Sequence, residues 1–141
     1  MLPVAAIAVL ADQVTKQLAV AALGDGPIDL VPGVLTLRLT LNSGGVFGLG
    51  QGFPGFFLAA TVAIVAVVLL WARRLRDSRM AVALGLIVGG GVGNLLDRIV
   101  RDLGGRVVDF VDLHVWPVFN LADSCIVVGV GLVLLFGARS E

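Results

Sequence analysis

The sequence predicts a polytopic membrane protein: four transmembrane α-helices with a small extracytoplasmic β-sheet, contributed between helices 1 and 2 and before helix 4. Three observations carry that prediction. Of 141 residues, 58% are hydrophobic and only 14% charged, with a mean hydropathy of +1.04, whereas about a quarter of an ordinary soluble domain is charged. Four apolar stretches, residues 2–23, 53–71, 80–100 and 121–137, approach the roughly 20 residues that a bilayer crossing requires. The segments between them carry strand-like patterns. So little chain is left over that residues 1–141 read as one integral-membrane domain.

The first span is interrupted by Asp12 and Lys16, four residues apart and on one helix face, with Thr15 beside them. Two unpaired charges in mid-membrane would cost about 5–7 kcal/mol. An i,i+4 ion pair turned toward the bundle interior lowers that cost. The pair therefore reads either as a packing device or as part of a site. A cleaved signal sequence fits poorly, since the stretch has no basic lead and its apolar run is broken, so a retained helix is expected.

After this span, Val34–Leu41 alternates. Leu35, Leu37, Leu39 and Leu41 are expected on one strand face, with Thr36, Arg38 and Thr40 on the other. The leucine face would rest on lipid headgroups or on a substrate chain. Asn42-Ser43-Gly44-Gly45 breaks the pattern before Val46-Phe47. Arg106–Val115, the second such segment, is also β-branched in character.

Arg73, Arg74, Arg76 and Arg79 crowd the link between the second and third spans, while the other two links are slightly acidic. The positive-inside rule puts that link and both termini in the cytoplasm. The other two links, and any site built on them, would then lie at the outer face. The third span is rich in glycine (Gly85, Gly89, Gly90, Gly91, Gly93), as close helix packing in membranes favours. At its outer end Asn94, Asp97, Arg98 and Arg101 form a polar stripe by i, i+3, i+4, i+7 spacing. The fourth span begins with Asn120, Asp123 and Ser124 on one face, and Asn or Asp at that place also suits a helix N-terminus. Cys125, the single cysteine, cannot form an internal disulfide and reads as a packing residue. A net charge of zero gives no reason to expect a nucleic-acid partner.

Two carboxylates, Asp109 and Asp123, thus stand at the membrane edge. An ionisable residue in that setting suggests a functional site. Two that meet would share a proton near neutral pH and titrate as a pair. Such a dyad hydrolyses an amide without metal or other cofactor: the ionised carboxylate deprotonates a water while the protonated one protonates the carbonyl oxygen. A zinc peptidase lacks its ligands, since His114 is the only histidine; it reads as an interfacial residue. A Ser–Lys hydrolase built on Ser124 or Thr15 with Lys16 has no supporting motif. A proton-coupled carrier using Asp12, Lys16 and Asp97 lacks an inverted repeat.

The same residues carry a family resemblance. Asp12-Gln13-Val14-Thr15-Lys16 resembles the D-x-x-[ST]-K motif of the lipoprotein signal peptidases, or signal peptidase II. Asn42-Ser43-Gly44-Gly45-Val46-Phe47 is similar to their N-x-G-x-[AVS]-F, and Gly89–Arg98 to G-G-A-x-G-N-x-x-D-R, with Gly91 replacing alanine. Val107–Phe110 and Phe119–Ser124 match the last two motifs. The resemblance implies an inner-membrane, multi-pass aspartyl endopeptidase that removes the signal peptide of a diacylglyceryl-prolipoprotein before the lipidated cysteine; a monomer is expected, although the sequence itself does not fix the oligomeric state. Globomycin would inhibit it. By the match, Asp109 and Asp123 are the catalytic pair; Asn42, Gly90, Asn94, Arg98 and Asn120 line the substrate site; Asp12, Lys16 and Asp97 support the architecture.

Overall fold

The computed structural model describes residues 1–43, 54–72 and 77–138. Along them run α1 (Leu2–Ala22), β1 (Ile28–Val31), β2 (Leu35–Asn42), α2 (Pro54–Ala72), α3 (Ser78–Val100), β3 (Val107–Asp112) and α4 (Leu121–Gly137). Residues 44–47 of the second motif and Arg73, Arg74 and Arg76 of the basic link lie outside the described residues. The four helices fall on the four expected apolar stretches. α1 and α3 are each long and apolar enough to cross a bilayer; α4 and the Leu58–Ala72 part of α2 are apolar but shorter.

The packing is inverted relative to a soluble protein. Large apolar side chains such as Ile7, Leu10, Leu18, Ile64, Val67, Val127 and Leu134 point outward. Of the seven largest fully buried side chains among the described residues, only Leu84 and Val108 are apolar; the others are Lys16, Asn120, Asp12, Asp97 and Asp109. A lipid-facing exterior explains this, because apolar surface loses nothing there while polar groups must find partners inside.

α3 is the central helix, packed against α1, α2 and α4, and its glycines set the approach distances. A Cβ on Gly89 would stand 2.6 Å from the Ala8 Cβ of α1, and one on Gly93 would stand 2.6 Å from Asp12 Oδ2. A Cβ on Gly90 would collide with the Ala122 carbonyl of α4. Gly90, expected to line the substrate site, thus leaves room for the first turn of α4.

The sheet is antiparallel in the order β1-β2-β3; β1 had not been foreseen. Its register overturns the expected leucine face. Thr36 pairs with Asp112 and Leu37 with Val111, but after an irregularity Thr40 pairs with Asp109 and Leu41 with Val108. A strand changes face at every residue, so a one-residue bulge swaps the faces of everything beyond it. Leu37 and Leu41 consequently lie on opposite faces, as do Thr36 and Thr40. The bulge also carries Thr40 and Asn42 onto the face of Asp109.

Candidate active site

Three elements converge on the C-terminal end of α3. Lys16, fully buried on α1, lies 2.9 Å from Asp12 Oδ2 and 3.0 Å from Asp97 Oδ2. Its Nζ also donates to Asn94 Oδ1 at 2.9 Å. The two carboxylates find most of their other partners nearby. Asp12 Oδ1 accepts from the Ala122 amide at the start of α4 (2.9 Å), and Asp97 Oδ2 from the Val108 amide of β3 (3.0 Å). Asp97 Oδ1 accepts from Gln13 Nε2 (3.0 Å) and Arg101 Nε (2.9 Å). This cluster ties α1, α3, β3 and α4 together through buried charge. Gln13, which sequence reasoning passed over, also donates to the Gly93 carbonyl at 3.1 Å; its only sequence signal was an amide beside Asp12 in an apolar helix.

A second cluster abuts the first. Asn120 caps α4 with a complete capping box: its side chain accepts from the Asp123 amide, and Asp123 Oδ2 accepts from the Asn120 amide. The cap residue's other end points away from the helix. Asn120 Nδ2 donates to Asp109 Oδ1 at 2.7 Å, to Asn94 Oδ1 at 3.0 Å and to the Val108 carbonyl at 3.2 Å. Asn94 Nδ2 donates to Asp123 Oδ1 at 2.8 Å, and Asn42 Nδ2 to Asp109 Oδ2 at 2.9 Å. The two aspartates are therefore held by one pair of linked asparagines, Asn94 and Asn120. Four of the residues singled out in the sequence (Asn94, Asp109, Asn120, Asp123) form a single network, and Asn42 joins it from β2.

Burial and the neighbouring Asp123 push the Asp109 carboxyl up to about 7, against the opposing hydrogen bonds from Asn42 and Asn120. Asp109 is 1% exposed, whereas Asp123 is half-buried. Asp123 and Ser124 line an apolar groove of about 360 Å3 together with Leu113, Trp116, Phe119, Val127 and Val128. Arg98 donates to the Asn94 carbonyl at 3.2 Å, and its buried Nε has no partner among the described residues.

Other chemistries find less support in this geometry. Ser124 Oγ donates to the Asn120 carbonyl at 3.1 Å, and Thr15 Oγ to the Ala11 and Asp12 carbonyls, both at 2.9 Å. Lys16 is engaged by Asp12, Asp97 and Asn94 and bonds to neither hydroxyl. Among the described residues no group of three His, Cys, Asp or Glu side chains could hold a metal ion.

Apolar helices around a buried polar core, with an antiparallel sheet beside it, define a membrane enzyme. Two solved structures described as bacterial membrane enzymes share the fold, each with a TM-score of 0.84, at 30% and 29% identity. They cover 96% and 98% of this chain, and 85% and 92% of their own chains are matched. The chain belongs to the signal peptidase II family, and is thus a peptidase: the family model, Signal peptidase (SPase) II, matches residues 4–138. The lipoprotein signal peptidase of Symbiobacterium thermophilum is 42% identical over 93% of this chain and 89% of its own length. That of Rhodococcus jostii is 40% identical over 94% and 69%, and that of Halothermothrix orenii 38% over 96% and 92%.

Proposed function

We propose that the protein is an aspartyl endopeptidase that removes the signal peptide from diacylglyceryl-prolipoproteins, cutting before the lipidated cysteine. The observation that carries this reading is the Asn94–Asn120 clasp, which holds Asp109 and Asp123 together with no cation paired to either among the described residues. In this mechanism the pair holds one proton, and Asp109 is the site that burial favours for it. Asp123 takes a proton from a water lodged between the two carboxyls. As that water attacks the scissile carbonyl carbon, Asp109 gives its proton to the carbonyl oxygen, forming a gem-diol without a covalent enzyme intermediate. Collapse of the gem-diol expels the amine, which takes the proton from Asp123, and Asp109 recovers its own from the hydroxyl.

Asn42, Asn94 and Asn120 orient the two carboxyls, each through a hydrogen bond already present in the free enzyme. Arg98, with an uncommitted Nε, is the group that would hold a substrate carbonyl; Gly90 admits α4 to its place beneath them. Asp12, Lys16 and Asp97 keep the surrounding elements in register. The whole chain acts as one membrane domain with four spans in the bacterial inner membrane. Both termini are cytoplasmic and the site faces outward, where the lipid of the substrate stays in the bilayer while the peptide bond meets water. The enzyme acts as a monomer, and globomycin-type peptides block it.

A gel-shift cleavage assay on purified diacylglyceryl-prolipoprotein tests this reading. Wild-type cleavage should resist EDTA, yield to globomycin and vanish in a folded Asp123→Asn variant. EDTA-sensitive cleavage, or full activity in the variant, would remove the dyad.

A further inference from the structure

A third polar cluster lies on the sheet, away from both carboxylate clusters, and the hydrolytic mechanism does not use it. Thr36 Oγ, on a residue 5% exposed, donates to Asp29 Oδ1 at 2.6 Å and lies 2.9 Å from His114 Nε2. A threonine hydroxyl has one hydrogen to give. With that hydrogen on the Asp29 carboxylate, Thr36 accepts from His114, so Nε2 is the donor of this bond. The other ring nitrogen, Nδ1, faces Asp112 Oδ2 at 3.8 Å, and the same oxygen accepts from Arg38 Nε at 2.6 Å. The His114 amide donates to Asp112 Oδ1 at 2.8 Å, and this bond is the first cause holding the Asp112 carboxyl below its ordinary range. β2 and β3 thus hold one side chain of the segment leading to α4, and β1 holds the threonine that meets it. His114 is gripped in the left-handed region, at φ 62°, which non-glycine residues adopt rarely.

The segment is anchored again at its far end. Phe119 bridges to Val111, with hydrogen bonds of 3.0 and 2.9 Å. Between the two anchors stands Trp116, 59% exposed, which lines the same apolar groove as Asp123.

We infer that His114 is a positioning residue: it clips the β3–α4 connection onto the sheet and so holds Trp116 as the outer wall of the groove that receives an apolar part of the substrate. The inference rests on the peptidase reading for its substrate, but the clip itself does not. Without the imidazole the Phe119 bridge still fixes Asn120 and the first turn of α4. Loss of His114 therefore loosens substrate binding and spares the chemical step.

The sequence offers a direct probe, since Trp71 and Trp116 are the only tryptophans. In the full-length Trp71→Phe protein, acrylamide quenching reports Trp116 alone. His114→Ala should raise that quenching, and should raise KM for a diacylglyceryl-prolipoprotein roughly 2- to 10-fold, the worth of one lost hydrogen bond, with kcat little changed. His114→Gln, which returns a donor toward Thr36, should restore both. Thr36→Val breaks the same bond from the sheet side and should match His114→Ala. Unchanged quenching in both His114→Ala and Thr36→Val overturns the clip. Increased quenching with unchanged KM, or a loss confined to kcat, overturns Trp116 as a wall of the substrate groove. Because quenching needs no substrate, a wild type that cuts nothing would count against the peptidase reading alone.

Discussion

Two buried acidic clusters sit side by side at the C-terminal end of α3, and they are built on opposite principles. Around Lys16, two carboxylates share one ammonium, and most of their remaining acceptor positions are taken by backbone amides, Gln13 and Arg101. Around Asn120, two carboxylates are held by neutral amides alone, and one of them opens onto a groove. The first arrangement is nearly closed, with most of its lone pairs already engaged. The second contains no ion pair among the described residues, and burial beside Asp123 raises the Asp109 carboxyl to about 7, so the pair can hold a proton that it gives away. Burial with an ion pair holds helices in register, whereas burial without one stores reactivity. The asparagines join the two, since Asn94 accepts from Lys16 and donates to Asp123.

Substitutions on either side should separate these roles. The largest effect is expected at the aspartate pair: Asp109→Asn or Asp123→Asn should lower kcat by about 10²–10⁴-fold, with a circular-dichroism spectrum and melting behaviour that show a folded protein. Next comes Lys16→Met, which strands two buried carboxylates and should destabilise the protein by roughly 3–5 kcal/mol, read by thermal unfolding in detergent. Adding Asp12→Asn and Asp97→Asn should recover part of that loss. If Lys16→Met melted like wild type but cut nothing, the distinction between the clusters would collapse.

A smaller effect follows from the proton on Asp109. Its carboxyl is raised from 3.8 to about 7 on folding, so the folded state binds more protons than the unfolded one between those limits. The contribution of Asp109 to stability is then fully present below pH 3.8, declines as pH rises, and is lost above about 7. Asp109→Asn removes that slope, so the melting temperature of the variant relative to wild type should climb by a few degrees between pH 4 and pH 8. Wild-type cleavage should fade over the upper part of the same range as the pair gives up its proton. The smallest effect is expected at Ser124→Ala, whose hydroxyl only back-bonds to the Asn120 carbonyl. Its kcat/KM should stay within about twofold of wild type, as for a minor surface change; a dead variant would revive the Ser–Lys alternative.

Much of this was legible along the chain because its signals are local. Helix spacing alone puts Asp12 with Lys16 and gathers Asn94, Asp97, Arg98 and Arg101, and the apolar runs mark α1, α3 and α4 to within a few residues. Asn120 and Asp123 read as a helix start because the free amides of a first turn select such residues, and the capping box bears this out. The short, wholly exposed β1 carried no such periodic signal and was missed.

What the tertiary structure alone decided is how distant residues share hydrogen bonds. Nothing in Val34–Leu41 announces a bulge, since an irregular pairing is a property of two strands rather than of one. Yet that bulge puts Asn42 on the face of Asp109. The sequence offers Asp97 as one residue of a polar stripe; only packing makes it the meeting point of Lys16, Gln13, Arg101 and the Val108 amide. The sequence by itself determined which residues could not face lipid, because burying an ionisable group in a bilayer without partners is too costly to arise by chance. Which partners each would find, and therefore which cluster was nearly closed and which left open, depended on the fold bringing α1, α3, β3 and α4 within hydrogen-bond reach.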